Sequence, residues 1–296
     1  RRDILRLCAS HPLTIGFSVS IMPWNLSAKL LGLPTLRSVQ RTDMSIVFDA
    51  VLFDRSLYNP LFNFLSSLAI LLPQAKKKGR KLGFFNVTAG PVTTPMGKDM
   101  LHKLADQMDF ITVRDQDSYD ILRDIGVKNP NVLVTADAAL NASVCSPGRV
   151  EEIWNKLGLA GAGEVLAINV NSYLDTWAGL SKEPLTREVF LKVFSGALNK
   201  VIKQTGSSVL FVSTQHQDEA LTRELMSLTF APKMALLSNK VYDHHEIKGV
   251  MSKVSLLYAM RLHCIIYYHF PSVYHLVDNA FHPDRDVAGE LNRVVK

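Results

Sequence analysis

Residues 254–277 read VSLLYAMRLHCIIYYHFPSVYHLV, and this stretch decides the fold. Five of its first six residues are apolar and the run has the length of a buried strand, while SVYHLV at 272–277 is rich in the β-branched and aromatic residues of a second strand. Between them, residues 261–269 have the composition of a helix with one buried face. A strand, a helix and a strand in this order predict two parallel strands joined by a crossover helix.

The same alternation of short strand-like runs and longer helix-like segments recurs along the chain, so we predict an α/β fold with mostly parallel sheets. A polar stretch near the middle places a domain boundary at about residue 145, which gives an N-terminal domain of residues 1–145 and a C-terminal domain of residues 146–296. We expect the last helix to pack back on the N-terminal domain. The predicted strands are 14–20, 45–53, 81–87, 110–113, 131–135, 164–170, 208–213, 234–238, 254–259 and 272–277. The predicted helices are 60–78, 97–107, 117–125, 148–157, 186–204, 217–228, 244–252, 261–269 and 285–295.

Composition narrows the class of protein. The chain has 296 residues, 47% of them hydrophobic and 20% charged, which is typical of a globular protein with room for two cores. The longest apolar run, at 61–73, is interrupted by Asn63 and Pro73 and does not predict a membrane span. The three cysteines are widely spaced, and the first residues do not resemble a signal peptide. We therefore expect a cytoplasmic protein.

A dense basic run, KKKGRK at 76–81, stands where a helix is predicted to end and a strand to begin. Cations at a helix C-terminus complement the helix dipole, and a solvated helix end is the first interpretation. A contact with an anionic membrane surface is the second, which would place the protein at the inner face of the membrane. The chain has no nucleic-acid-binding motif, so no nucleic-acid partner is expected.

Several common catalytic motifs are missing from the sequence. No GxGxxG loop leaves the first strand, and no GxxxxGK[ST] or GxSxG motif is present, so neither a dinucleotide cofactor, a P-loop nor a serine-hydrolase elbow is expected. Asp243-His244-His245-Glu246 contains metal-ligand types, but adjacent residues on a helix do not converge on one ion. We predict instead that Asp243 caps a helix, and we expect no metal.

Polar residues cluster directly after the predicted strands, at the sheet edge where α/β proteins bind ligands. Arg261 and His263, at the head of a predicted helix, suggest a site for an anion. The alternative for Arg261 and His263 is a structural arginine–carboxylate pair with a hydrogen-bonded histidine. The alternative for Arg114 is a structural arginine–aspartate pair at a domain interface. The other candidate residues are Leu262 beside them, Asp115 and Ser118 after the fourth predicted strand, Asp137 after the fifth, Asn169 and Asn171 after the sixth, and Gln215 after the seventh.

Taken in order, ITVRDQDS, ILRDIGV, VLVTADAAL, AINVNSY, VSTQHQD and MRLHCIIYYHFPSV resemble the polysaccharide pyruvyl transferase family over about residues 45–280. The resemblance implies two Rossmann-like domains in a GT-B-like arrangement. It also implies transfer of the enolpyruvyl group of phosphoenolpyruvate to a sugar, usually as a ketal on two hydroxyls.

Under that resemblance, Arg261 and Leu262 would bind the donor and His263 would deliver a proton or stabilise the departing phosphate. Arg114, with Asp115 and Ser118 beside it, would add a second positive contact to the donor. Asp137 would activate an acceptor hydroxyl, and the segment from His216 to Asp218 is a weaker candidate for the same role. Asn169, Asn171 and Gln215 would contact substrate.

The implied partners are phosphoenolpyruvate and a sugar or lipid-linked glycan used for an exopolysaccharide or the cell wall, with no other cofactor. Family members have a glycine-rich turn after an early strand, where this chain has FDAVLFDRSLYNP, and Asp54, Arg55 and Asn59 are candidates to replace it. Two alternatives stay open: a GT-B glycosyltransferase that uses a nucleotide sugar, and a relative that binds but does not catalyse. The sequence makes no prediction about the oligomeric state.

Overall fold

The computed structural model describes residues 33–48, 50–54, 57, 64–172, 186–268 and 276–277. The chain divides into two compact units between Ala138 and Ala139, whereas the sequence placed the boundary near residue 145. The predicted strand at 14–20 and the predicted helix at 285–295 lie outside the described residues.

The first unit is a parallel sheet with helices. Its strands run in the order β1-β3-β4-β5, and the short β2 pairs with the end of β3. The strands are β1 (Met44–Phe48), β2 (Val51–Leu52), β3 (Lys81–Ala89), β4 (Phe110–Val113) and β5 (Val132–Val134). The helices are α1 (Leu33–Arg41), α2 (Phe64–Lys76), α3 (Pro95–Ala105) and α4 (Gln116–Asp124).

The second unit is also a parallel sheet, in the order β10-β9-β6-β7-β8. Its strands are β6 (Val165–Asn169), β7 (Ser208–Ser213), β8 (Met234–Ser238), β9 (Leu256–Ala259) and β10 (Leu276–Val277). Its helices are α5 (Pro147–Lys156), α6 (Arg187–Thr205), α7 (Glu219–Ser227), α8 (His244–Met251) and α9 (Leu262–Tyr267). The predicted strand-helix-strand unit at 254–277 is confirmed, because β9 and β10 pair in parallel and α9 lies between them in sequence.

The central strands β6 and β7 are buried at every position, as expected for a parallel sheet covered on both faces. One core lies under α6 and α7 and includes Phe190, Leu198 and Leu221. The opposite core lies under α5 and α8 and includes Ile153 and Val250. The predicted α/β class with mostly parallel sheets is therefore confirmed.

The sequence missed α1 and misjudged two other features. No residue of α1 is fully buried, although Val39 packs against the core of the first unit. The predicted strand at 45–53 is divided into β1 and β2, whereas α2 lies within the predicted helix at 60–78 and continues through Pro73. The helix predicted at 261–269 is α9, which has only six residues.

The basic run begins in the last turn of α2, as predicted. Lys76 Nζ lies 2.7 Å from Asp109 Oδ2, and Arg80 Nη1 lies 3.2 Å from Asp43 Oδ1. The hydrogen bond from Lys76 is the main reason why the pKa of Asp109 lies below its usual value. Within the described ranges, no helix combines the length and the apolar character that crossing a membrane requires.

The start of α3 is built around a buried carboxylate. Asp54 Oδ2 accepts hydrogen bonds from the backbone N–H of Thr93 at 2.8 Å and from the Oγ1 of Thr94 at 2.7 Å, and Thr94 in turn caps α3 by accepting from Gly97 N. A Cβ at Gly97 would lie 2.4 Å from Asp54 Cβ and 2.8 Å from its Oδ2. Glycine is needed here because the carboxylate approaches the helix backbone closely.

We predict that Gly97→Ala lowers the thermal unfolding midpoint, because the added methyl displaces Asp54 from its hydrogen bonds at a cost of about 1–3 kcal/mol. Gly196→Ala in α6 is the matched control, because nothing lies within 4 Å of the position of its Cβ. That substitution should stabilise the protein by up to about 1 kcal/mol. Equal midpoints for the two variants in calorimetry would contradict the role assigned to Asp54.

Candidate functional site

The carboxyl ends of the strands in the second unit are held together by a buried asparagine. Asn169, the last residue of β6, is 0% exposed. Its Nδ2 donates to the carbonyl oxygen of Val212 in β7 at 2.9 Å, and its Oδ1 accepts from the backbone N–H of Arg261 after β9 at 3.0 Å. Asn169 therefore fixes the loop that carries Arg261, and these bonds occupy the side chain that the sequence assigned to substrate binding.

Arg261 forms a two-pronged ion pair with Asp218. Its Nε and Nη2 donate to the two carboxylate oxygens of Asp218, both at 2.8 Å. The Arg261 side chain is 18% exposed and that of Asp218 is 0% exposed. Asp218 Oδ1 also accepts from Ser172, at 2.9 Å from the backbone N–H and at 2.7 Å from Oγ. The structural arginine–carboxylate pair that the sequence left open is thus present.

The prediction that the segment from His216 to Asp218 activates an acceptor hydroxyl is wrong for Asp218. Its carboxylate is inaccessible to solvent and already accepts four hydrogen bonds, so it has no route to a substrate proton. His216 is exposed. Gln215 is exposed as well, and its carbonyl oxygen accepts from Ser213 Oγ at 2.9 Å. Asn171 is half-buried in the loop after β6.

His263 lies in the first turn of α9 and is half-buried, next to Leu262, which is 49% exposed. The pair follows β9 directly, so both residues lie at the carboxyl edge of the sheet. Arg261 occupies the cap position of α9 but its side chain makes no capping bond there. The neighbouring Cys264 is fully buried, and burial raises the pKa of its thiol to about 12, which excludes it as a nucleophile at neutral pH.

A second buried carboxylate, Glu219, follows Asp218 and was not predicted from the sequence. It is 7% exposed and accepts from Ser238 Oγ at 2.7 Å. Its oxygens also lie 2.8 Å from Arg223 Nη2 and 3.2 Å from Lys240 Nζ. The hydrogen bond from Ser238, followed by those from the two cations, lowers the pKa of Glu219 to about 2. The only signal in the sequence was a pair of acids after a predicted strand.

In the first unit, the structure brings Arg114 and Asp137 together. Arg114 Nη1 lies 3.2 Å from Asp137 Oδ2, and the side chains are 10% and 9% exposed. Asn86 fixes the loop around Asp137, donating to Ala136 O at 2.9 Å and accepting from Ala138 N at 3.0 Å. Asn86 has a φ of 56°, at a register shift between β3 and β4. A non-glycine residue in this conformation is uncommon and often lies near a functional site.

Asp115 and Ser118 serve the fold directly. Asp115 caps α4 by accepting from Ser118 N at 2.7 Å. The buried Ser118 Oγ accepts from the backbone N–H of Ala89 at 3.0 Å. Asp54, one of the candidates to replace the glycine-rich turn, binds the start of α3 through its own carboxylate, and the other two, Arg55 and Asn59, lie outside the described residues.

The prediction that Asp243 caps a helix is confirmed, because it forms a reciprocal capping box with Glu246 at the start of α8. Among the residues that the structure describes, no three histidine, cysteine, aspartate or glutamate side chains group as a metal site would require.

We predict that Glu219→Gln lowers the unfolding midpoint at pH 7, because the ionised carboxylate is the form that its partners stabilise. The folded-state pKa is depressed from 4.5 to about 2, so this contribution is complete above the unfolded-state pKa and is lost as the pH falls toward 2. Thermal melts between pH 7 and pH 2 should show a difference in unfolding midpoint between the wild type and Glu219→Gln that disappears as the pH falls. The exposed Glu164 provides a control, Glu164→Gln, for which no such difference is expected.

Three solved structures are similar to this chain, all of the Anabaena protein Alr3699/HepE. The complexes with UDP and with UDP-glucose match at 14% identity, and the complex with UDP and glucose matches at 13%. Each covers 77% of this chain with a TM-score of 0.45. The chain spans 55% of the length of these structures.

No curated protein sequence matches the chain. The family profile described as polysaccharide pyruvyl transferase matches residues 15–267, which is most of the chain's length and includes the first sheet, the second sheet except β10, and the Arg-Leu-His segment after β9. The resemblance found in the sequence motifs is thereby confirmed, and the chain belongs to the polysaccharide pyruvyl transferase family.

Proposed function

We propose that this protein transfers the pyruvyl group of phosphoenolpyruvate to a sugar, giving a pyruvate ketal. One observation carries the proposal: Arg261 and His263 lie together after β9, at the carboxyl edge of the second parallel sheet. Ligands of open α/β sheets bind at this edge. Membership of the family supports a transferase, and the identity of the donor is the part that we add.

Arg261 suits the donor because phosphoenolpyruvate carries a carboxylate and a phosphate, and a guanidinium binds either group in a planar, two-pronged manner. The fork to Asp218 engages Nε and Nη2 of Arg261, and the arginine side chain is still 18% exposed at the strand end. The backbone of Arg261 is held by Asn169, which keeps the residue at the strand end before any ligand arrives.

The reaction needs a proton at the methylene carbon, two new C–O bonds at C2 and the loss of phosphate. Two acceptor hydroxyls form the C–O bonds; one of their protons ends on the methylene carbon and the other on the released phosphate. We assign this proton transfer to His263, because histidine is the side chain that most often acts as a general acid or base in enzymes. It would act on the methylene carbon or on the departing phosphate.

The acceptor in this proposal is a sugar or a lipid-linked glycan on its way to an exopolysaccharide or the cell wall, in the cytoplasm or at the inner face of the membrane. Contact of the basic run at 76–81 with an anionic membrane surface belongs to the same proposal. The roles of Arg114 in donor binding and of Asp137 in activating the acceptor remain predictions from the sequence. Asp137 would act from within its ion pair with Arg114.

We predict that Arg261→Lys weakens phosphoenolpyruvate binding at least about tenfold in calorimetric titration, because an ammonium cannot form the planar fork. Lysine is chosen over alanine because it keeps a cation beside the buried Asp218, whose isolation would cost about 3–5 kcal/mol. Arg149→Lys is the matched control, since Arg149 also pairs with glutamates but lies in α5. Unchanged affinity in Arg261→Lys would contradict the assignment of the donor site.

We further predict that His263→Gln keeps the affinity for phosphoenolpyruvate but lowers phosphate release about 10²- to 10⁴-fold, the usual contribution of acid–base catalysis. Phosphate release would be measured with a panel of hexose glycosides as acceptors. Equal turnover in His263→Gln and the wild type would remove His263 from the chemistry.

A thermal-shift comparison separates the proposal from the glycosyltransferase alternative. Phosphoenolpyruvate at 100 times its Kd should stabilise the protein by about 2.7 kcal/mol. A shift with UDP-glucose and none with phosphoenolpyruvate would favour the nucleotide-sugar alternative. No shift with either ligand would favour the non-catalytic one.

A further inference from the structure

The Asp218 carboxylate is held more tightly than an ordinary ion-pair partner. It accepts two hydrogen bonds from Arg261 and two from Ser172, and it is 0% exposed. Its backbone is fixed as well, because the carbonyl oxygen of Asp218 accepts from Thr222 Oγ1 at 2.8 Å and its N–H donates to Gln215 O at 3.0 Å. The carboxylate therefore presents a fixed surface to Arg261.

We propose that Asp218 is the positioning residue that sets the plane and rotation of the Arg261 guanidinium for the donor anion. Two parallel N–H···O bonds, both of 2.8 Å, determine the plane of a guanidinium and its rotation within that plane. A guanidinium fixed before binding loses little freedom when the anion arrives. This inference rests on the proposed function, since it assigns Asp218 a role through Arg261 in binding phosphoenolpyruvate.

The position of this ion pair in the sheet distinguishes it from a purely structural one. Arg261 follows β9 and Asp218 follows β7, and β6 lies between these strands in the sheet. The pair therefore joins the loops after two strands that lie about 10 Å apart in the sheet. This position places the guanidinium at the carboxyl edge, where the ligand of an α/β protein lies. Ser172, from the loop after β6, donates two hydrogen bonds to the carboxylate of the pair.

A double-mutant cycle tests the proposal with phosphoenolpyruvate as the titrant. The four proteins are the wild type, Asp218→Asn, Arg261→Lys and the double variant. Asparagine keeps the shape of aspartate but presents an NH₂ group in place of one carboxylate oxygen. One of the two hydrogen bonds from the Arg261 guanidinium is therefore lost, because two N–H donors then face each other. We expect Asp218→Asn to raise the Kd about tenfold or more, and the double variant to be no weaker than Arg261→Lys alone.

Glu219→Gln is the matched control for this cycle. Glu219 is the next residue, is 7% exposed and is also paired with cations, but its partners are Ser238, Arg223 and Lys240. It should lower the unfolding midpoint and leave the Kd for phosphoenolpyruvate within about twofold, because it does not contact the Arg261 guanidinium. If Asp218 had only a structural role, Asp218→Asn and Glu219→Gln would both lower the unfolding midpoint and both leave the Kd for phosphoenolpyruvate within about twofold.

Ser172→Ala provides a milder variant if Asp218→Asn does not fold. It removes one hydrogen bond from the carboxylate and keeps the backbone bond, so a rise in Kd of a few fold is expected. The proposal is overturned if Asp218→Asn, or Ser172→Ala in its place, binds phosphoenolpyruvate as the wild type does. It is also overturned if the Kd of the double variant rises by the product of the fold increases that the two single variants show. Failure of the wild type to bind phosphoenolpyruvate at all is a separate result that overturns the proposed function itself.

Discussion

The ion pair between Asp218 and Arg261 is the interaction on which the candidate site depends. A carboxylate with no solvent exposure is stable only when its charge and its lone pairs are fully partnered, and Asp218 meets this condition with four hydrogen bonds. Its partners come from the loops after β6 and β9, while Asp218 itself follows β7. The ion pair and its hydrogen bonds therefore hold the loops after β6, β7 and β9 together at the carboxyl edge, and this fixes the position of Arg261.

Each unit uses a buried asparagine to fix a loop that carries a charged residue. Asn86 lies at the register shift within β3 and bridges the two sides of the loop that carries Asp137, and Asn169 at the end of β6 bridges β7 and the loop that carries Arg261. An asparagine suits both positions because one side chain can both donate to a carbonyl and accept from an N–H. Backbone groups that leave the regular ladder of a sheet, at a register shift or at a strand end, need side-chain partners. An arginine–aspartate pair lies beside each asparagine.

The paired state of both arginines changes how an anion would be bound. A guanidinium beside a carboxylate attracts a second anion less strongly over distance than an isolated cation does. What it offers is a fixed orientation, which reduces the loss of conformational freedom on binding. For the donor that we propose, which releases phosphate after the reaction, affinity based on geometry is compatible with product release. Of the two interpretations of Arg261 that the sequence left open, the structural pair is observed, and the anion site is a proposal that is compatible with this pair.

The sequence by itself determined the fold class and the position of most elements. Periodicity of apolar residues is a local property, so β4, β7 and β8 begin and end where predicted, and Asp243 was recognised as a cap from its neighbours in the chain. The helix α1 was not predicted; none of its residues is fully buried.

Only the tertiary structure decided which charges meet. Arg261 pairs with a residue 43 positions away and is held by Asn169 at a distance of 92 positions, and Arg114 pairs with Asp137 at 23 positions. The reason is the strand order: β9, β6 and β7 are neighbours in the sheet although they are far apart in the chain, and their loops meet only after the sheet has formed.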